Sequence, residues 1–349
     1  VKDFFSTMPN VKDDRSWLLN ENGKEKDSEV HVNGYSSDLD RTITNDIADI
    51  VESGSGSFSK SYEIRNTDRS TGAMVAGSIA RKWGNRGFLG RLNIDYRGSA
   101  GQSFGAFNLP GMKVKLTGEA NDYVGKGING GEIVIRPPED RGFVAEGSSI
   151  VGNACLYGAT GGDFHANGRA GERFAVRNSG AYAVIEGSGD HLCEYMTGGV
   201  VVCLGSTGRN IGAGMTGGIA YILSDEAQRS DFKRKYVNNE IVKVQRIKTP
   251  AAEAQLKSII ERHVDKTNSE LAKEILLDWQ NKLTSEFFQI YPPSEKNSPL
   301  VMASDEEDTE LRSQIGISAG GLPDNEGQKA CFLVAGQDFG TYMTGQCAD

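Results

Sequence analysis

Cysteine is scarce in this 349-residue chain: Cys155, Cys193, Cys203, Cys331 and Cys347 are the whole complement, and no two form a Cys-x-x-Cys pair. An odd count without paired spacing excludes a disulfide scaffold and a zinc-ribbon arrangement, and fits buried thiols in a reducing compartment. No apolar run approaches the roughly 18 residues that a membrane-spanning helix needs, so no transmembrane segment is expected. Excess positive charge is also lacking. Lys and Arg number 38 against 47 Asp and Glu, a net charge of −9, and the basic patch that nucleic acid demands is missing. The surplus acid sits in the flanks: five basic against seven acidic residues over 1–35, and three against nine over 296–349, leaving the middle near neutral. The N-terminus carries no basic-then-apolar signal, and the sequence reads as one from which any targeting peptide has gone. A Walker loop and His-Glu-x-x-His do not occur.

Glycine, by contrast, is plentiful at 44 residues. Two stretches match Gly-x-Gly-x-x-Gly: Gly125, Gly127 and Gly130 in "GKGINGGEIVI", and Gly212, Gly214 and Gly217 in "GAGMTGGIAYIL". That spacing is the fingerprint of a dinucleotide turn, but such a turn must follow a strand and open a helix whose N-terminal N–H groups hold the pyrophosphate. Both stretches run instead into β-rich segments. They also end on members of a recurring pair: Gly130-Gly131, Gly161-Gly162, Ser179-Gly180, Gly198-Gly199 and Gly217-Gly218. After one longer first step, the pairs follow at nearly equal intervals. A period of about 19 residues with one short β run per repeat is the signature of a solenoid. Glycine then supplies corners with φ > 0 and close approach between stacked coils, and no nucleotide or other cofactor is assigned.

Alternation within the β runs places Ile133, Ile135, Tyr182, Val184, Val201, Cys203, Ala220 and Ile222 on an interior face. The opposite face holds Glu132 and Arg136 early, but Val200, Val202, Leu204, Ile219, Tyr221 and Leu223 later, so the later coils are covered on both sides. The cover is either the chain's own helices or a partner surface. Helical spacing is present at Leu39, Ile43, Ile47, Ile50 and Val51, with Ser37 or Asp38 as N-cap and Gly54 after the end. It recurs in "AMVAGSIARKWGN". Thr249 and Pro250 open another helix, with Leu256, Ile259, Ile260 and Val264 as its stripe. A further one starts at Thr267 or Asn268 and turns Leu271, Ile275, Leu276, Trp279 and Leu283 inward. This helical pair is expected to blunt the open edge of the solenoid.

Of residues that could carry chemistry, His191-x-Cys193 lacks a second pair at metal spacing, and no metal site is assigned. His165, His191, Cys155, Cys193 and Cys203 read as packed core side chains. Glu119, Asp122, Glu172, Arg141 and Arg173 lie near Gly turns, where such groups satisfy backbone at corners. No catalytic residue is assigned.

Longer motifs then become specific. "RNTDRSTGAMVAGSIARKWGNRG", "YRGSAGQSFGAF", "GEANDYVGKGINGGEIVIRPP", "GNACLYGATGG", "GRAGERFAVRNSGAYAVIEGSGDHLCEYMTGG" and "GSTGRNIGAGMTGGIAYIL" closely resemble the C-terminal GXGXG domain of the glutamate synthase large subunit. The resemblance covers about 36–295, and the arm before 36 and the tail after 295 look unlike the family. It implies a right-handed parallel β-helix flanked by short α-helices, with a structural role bracing the amidotransferase and flavin-binding domains. That family's nucleophilic N-terminal cysteine, FMN barrel and cluster cysteines have no match here, so no catalytic or cofactor residue carries over. The expected organisation is an extended arm over 1–35, the β-helix domain over 36–295 (repeats about 120–225, closing helices about 250–285), and a tail over 296–349. Two functions follow. One is a non-catalytic scaffold or linker in a large plastid assembly such as a phycobilisome, holding other protein subunits through 1–35, 296–349 and the outer β face. The other is the structural domain or subunit of a glutamate synthase. A ligand-binding solenoid is a third, weaker reading.

Overall fold

The structure is a computed structural model, and it describes residues 38–301 apart from Arg141 and 225–230. The expectations for 1–35, Ser37, Arg141, Cys331, Cys347 and the tail beyond 301 lie outside these residues.

The first apolar stripe forms two short helices, α1 (Asp38–Asp46) and α2 (Ala48–Ser53), which bury Ile43, Ile47 and Val51. The break falls at Ile47, and α2 ends on Gly54 at φ 74°. The "AMVAGSIARKW" stripe becomes α3 (Ala73–Trp83). Asp40 in α1 accepts from the N–H groups of Gly72 (2.6 Å) and Met74 (2.9 Å), so it caps α3 from across the fold. Burial raises the Asp40 pKa, against the two hydrogen bonds that favour the charged form.

Ten strands form one mostly parallel sheet: β1 (Ser57–Ile64), β2 (Arg91–Ala100), β3 (Met112–Ala120), β4 (Asn129–Arg136), β6 (Gly161–Ala166), β8 (Ser179–Ile185), β9 (Thr197–Cys203) and β10 (Gly217–Leu223) follow in chain order. Antiparallel β12 (Phe287–Tyr291) and β11 (Lys243–Gln245) complete it. Two tiny strands, β5 (Ser149–Val151) and β7 (Arg169–Ala170), pair separately. Consecutive parallel strands pairing as neighbours is what a one-strand-per-repeat stack requires.

The register lines up whole rows of side chains. Ile94, Val114, Ile133, Phe164, Ala183, Val201 and Ala220 run across seven strands on the interior face, all in one buried cluster. The next row on the opposite face reads Asp95, Lys115, Val134, His165, Val184, Val202 and Tyr221. Tyr182 and Val184 therefore lie on the outer face, not the interior; Ala181, Ala183 and Ile185 are inside. Counted back from the paired Ala183 and Val201, Gly180 stands where Gly198 does, so the repeat unit is Gly180-Ala181 rather than Ser179-Gly180. The ladder slips between Ser179 and Tyr182, and a one-residue slip exchanges the faces.

The chain's own helices cover the later outer face. α4 is the single turn Phe232–Lys235; α5 (Pro250–Thr267) starts at the Thr249 cap and ends on Asn268 at φ 62°. Ser269 rather than Thr267 or Asn268 caps α6 (Glu270–Leu277), accepting from the Ala272 N–H. Trp279 and Leu283 lie beyond its end, yet still join the cluster made by Leu256, Ile259, Ile260, Val202 and Tyr221. The helices thus cover a face, while the open edge after β10 is closed by β12, whose Phe287–Ile290 pair with Leu223–Ala220. An edge strand pairs best with another strand, which satisfies its free N–H and C=O groups.

Candidate functional site

Three places in the described residues have the ingredients of a site: the Gly-rich corners, a buried His–His–Glu cluster, and a polar cavity at the end of the corner stack.

The corners explain the Gly-x-Gly pattern. In six successive coils the chain turns through three left-handed residues at alternate positions: 103, 105 and 107; 123, 125 and 127; 154, 156 and 158; 173, 175 and 177; 191, 193 and 195; 210, 212 and 214. All have φ between 51° and 70°. Gly105, Gly125, Gly127, Gly158, Gly212 and Gly214 are the positions where glycine meets this requirement without strain. Concave runs of N–H groups can bind anions, but these already have partners. The N–H of Gly125 donates to the Phe104 carbonyl (2.9 Å), Gly127 to Tyr157 (2.9 Å), Gly212 to Leu192 (2.9 Å), Gly130 to Asn108 (3.3 Å) and Gly217 to Met196 (3.3 Å). The glycines hydrogen-bond coil to coil, and β4 and β10 follow them rather than helices. A phosphate here would have to displace the ladder.

The buried cluster lies where the outer row changes from charged to apolar. His165 on β6, Glu186 just after β8 and His263 on α5 are 2%, 1% and 0% exposed. His263 Nδ1 is 3.3 Å from His165 Nδ1, and His263 Nε2 is 3.3 Å from Glu186 Oε1. Glu186 Oε1 also accepts from Asn167 Nδ2 (2.8 Å) and from the Ser269 hydroxyl. With Nε2 donating to the carboxylate, a neutral His263 accepts at Nδ1, so His165 donates there; this tautomer assignment follows from the network. Burial holds the His165 pKa well below the ordinary histidine value, and the neighbouring His263, Arg262 and Lys266 push it further down. Around it, Arg262 meets Asp163 (3.4 Å) and Lys266 meets Glu132 (2.9 Å), joining α5 to β6 and β4. These groups could move a proton between themselves, but their burial keeps substrate out. Their geometry is that of a polar clasp fixing the helices to the sheet. Of its members the sequence reading weighed only His165. His263 was legible as a polar residue in the Leu256, Ile259, Ile260 stripe; nothing local marked Glu186.

The remaining sequence candidates are dispersed. His191 and Cys193 are on a corner, not a strand: His191 is half-buried and contacts Asn210 (2.8 Å between Nδ1 and Nδ2), whereas Cys193 is in the core. Burial pushes the Cys155 thiol up to about 12 and Cys203 to about 11, and raises Cys193 as well, so all three thiols are unreactive. No group of three or more His, Cys, Asp or Glu side chains among the described residues could hold a metal ion. Asp122 Oδ1 accepts from the Asn153 N–H (2.7 Å), Glu119 from the Ser99 hydroxyl (3.2 Å), the Glu172 N–H donates to Asn153 Oδ1 (2.8 Å), and Arg173 faces Glu194 (3.7 Å). A cavity of about 750 Å³ is lined by Asp190, His191, Arg209, Asn210 and Lys235 among others. Asp190 Oδ1 is already engaged by the Arg209 N–H (2.7 Å). No nucleophile with an adjacent base is assembled there.

Stacked parallel coils, glycine used for corners and a clasp closed to solvent define a repeat-built, mainly β domain with short covering helices. Residues 40–293 match the GXGXG motif family, and the chain belongs to that family. It is 52% identical over 297 residues to ferredoxin-dependent glutamate synthase 2 of Synechocystis, covering 85% of this chain and 18% of that protein. It is 53% identical over 276 residues to chloroplastic/mitochondrial ferredoxin-dependent glutamate synthase 1 of Arabidopsis thaliana (79% and 17%), and 50% identical over 279 residues to the Pyropia yezoensis ferredoxin-dependent enzyme (80% and 18%). The chain thus spans less than a fifth of the length of the curated relatives it matches. The Synechocystis match of 297 residues is longer than the segment from 36 to 295, so it also takes in part of the flanks.

Proposed function

We propose that this chain is the C-terminal structural domain of a ferredoxin-dependent glutamate synthase. In this reading the glutamine-hydrolysing and flavin chemistry belongs to other parts of the assembly, and these residues hold those parts in place. Identity above 50% confined to less than a fifth of the relatives carries the proposal. It is supported by polar groups that are engaged in backbone contacts or sealed from solvent. The separate plastid linker, with 1–35 and 296–349 as attachment arms, gives way to this alternative, because the similarity reaches into the flanks and runs to an enzyme family. We take the stack to coil as a right-handed parallel β-helix over about 36–295, the hand that parallel crossovers adopt. Chloroplastic relatives in Arabidopsis and spinach favour a plastid location.

Exchange of the matched segment tests this reading. Residues 40–293 replace the corresponding segment of the Synechocystis enzyme, and ferredoxin-dependent conversion of glutamine to glutamate is assayed. The expected result is an active chimera, with no turnover by the 349-residue chain alone. An inactive, unassembled chimera, or an isolated chain that turns over glutamine, refutes it.

A further inference from the structure

One corner of the stack carries aromatic rings that stay exposed. At the third left-handed position of successive coils, glycine serves at 127, 158 and 214, whereas Phe107 and Tyr195 hold the same conformation at φ 62° and 53°. A bulky residue there costs about 1–2 kcal/mol that glycine avoids. Both rings stay about half exposed, at 54% and 53%. Between them Tyr157 is also exposed, and Tyr123 stands at the first position of its coil with φ 62°. Cations fill the intervals: Lys126 Nζ lies 5.7 Å from the Tyr123 ring centre and 5.9 Å from that of Tyr157, and the Arg177 guanidinium lies 5.9 Å from Tyr195. Neither cation makes an ion pair with any other described residue.

The inner side of these rings has an internal use. Phe107 lies over Gly127 and Tyr195 over Gly214, where a Cβ would collide with ring carbons. The outer sides do not. Beside Phe107 a cavity of about 380 Å³ opens along α3, lined by Ala73, Gly77 and Ala80, and a Cβ on Gly77 would meet nothing within 4 Å. Glycine inside a helix costs about 1 kcal/mol against alanine, and no contact among the described residues requires it there. An aromatic stripe interleaved with cations that lack acidic partners among the described residues, continuous with a small-residue groove, has the make-up of the desolvated centre of an interface.

We propose that the stripe of Phe107, Tyr123, Tyr157 and Tyr195 with Lys126 and Arg177, together with the α3 groove, is where another folded domain of the same glutamate synthase polypeptide docks. That occupant presents apolar surface flanked by carboxylates to match the two cations. It is favoured because more than four-fifths of each relative lies outside the matched segment, so most of the polypeptide available to cover this face is elsewhere in the same protein. The proposal rests on the glutamate synthase reading above, and the test separates the two.

Hydroxyl-radical footprinting is run on the 349-residue chain and on the Synechocystis chimera, each with and without the substitutions Phe107→Gly, Tyr157→Ser and Tyr195→Gly. The glycine replacements suit the left-handed corners and should leave the melting temperature of the isolated chain near its starting value. The four rings should be oxidised in the isolated chain and shielded in the parent chimera. In the substituted chimera Tyr123 should become reactive and docking weaken about tenfold or more per ring removed. An active chimera whose rings stay as reactive as in the isolated chain overturns the docking surface and leaves the domain reading standing. A parent chimera that is inactive and unassembled overturns both.

Discussion

The outer faces of β2 and β10 belong to one sheet and obey opposite rules. β2 alternates, with Arg91, Asn93, Asp95 and Arg97 outward over buried Leu92, Ile94 and Tyr96, whereas β10 is buried at every residue. The backbone is the same parallel ladder in both. The difference is that α5, α6 and the segment beyond lie over β8–β10 while the outward side chains of β2 meet solvent. A strand of this parallel sheet is therefore specified twice: its interior row by the repeat, and its exterior row by whatever element returns to cover it.

The comparison can be broken most forcefully from the covered side. Val202→Asp places an unpaired carboxylate under α5 and is expected to cost about 4 kcal/mol or more, read from denaturant midpoints. Next comes the clasp at the boundary between the regimes. Glu186→Ala leaves Asn167, Ser269 and His263 without their shared acceptor and should cost about 3 kcal/mol; Glu186→Gln keeps an acceptor and should recover part of the melting temperature. A pH titration sharpens the same boundary. The folded His165 pKa lies below its unfolded value of about 6.5. The unfolded chain thus binds more protons as pH drops below 6.5, and stability falls by up to about 1.4 kcal/mol per pH unit at this site. His263, Glu186, Arg262, Asp163 and Lys266 surround it, and His165→Gln should flatten the slope of denaturation midpoint against pH between 7 and 5. The smallest effect belongs to the open side: Asn93→Asp should stay within about 0.5 kcal/mol, and an equal penalty at Asn93 and Val202 would abolish the distinction.

Much of the stack was legible because its rules are local. The Gly pairs marked β4, β6, β9 and β10, and the helical stripes marked α1, α3, α5 and α6. β1 was missed because "SFSKSYEI" is polar and carries no Gly pair; it is held at one end by Lys60 and Tyr62, which both reach Asp46 (2.7 and 2.6 Å). β12 was missed because "FFQIY" follows directly on helical residues, and only its antiparallel partner β10 makes it a strand. The face exchange at Tyr182 and Val184 came from reading Ser179-Gly180 as the pair, an error of one residue that a period-two element turns into the wrong side.

By itself the sequence determined the interior: the short repeat, glycines at corners that need positive φ, and an alternating apolar row, because backbone conformation and side-chain direction depend on residues close in the chain. The tertiary structure decided the exterior. Which row would be covered, which strand would close the edge, and that His263 would meet Glu186 across 77 residues depended on where α5, α6 and β12 came to rest. Desolvation and pairing at those sites are properties of surfaces brought together, and no short window of the chain contains both partners.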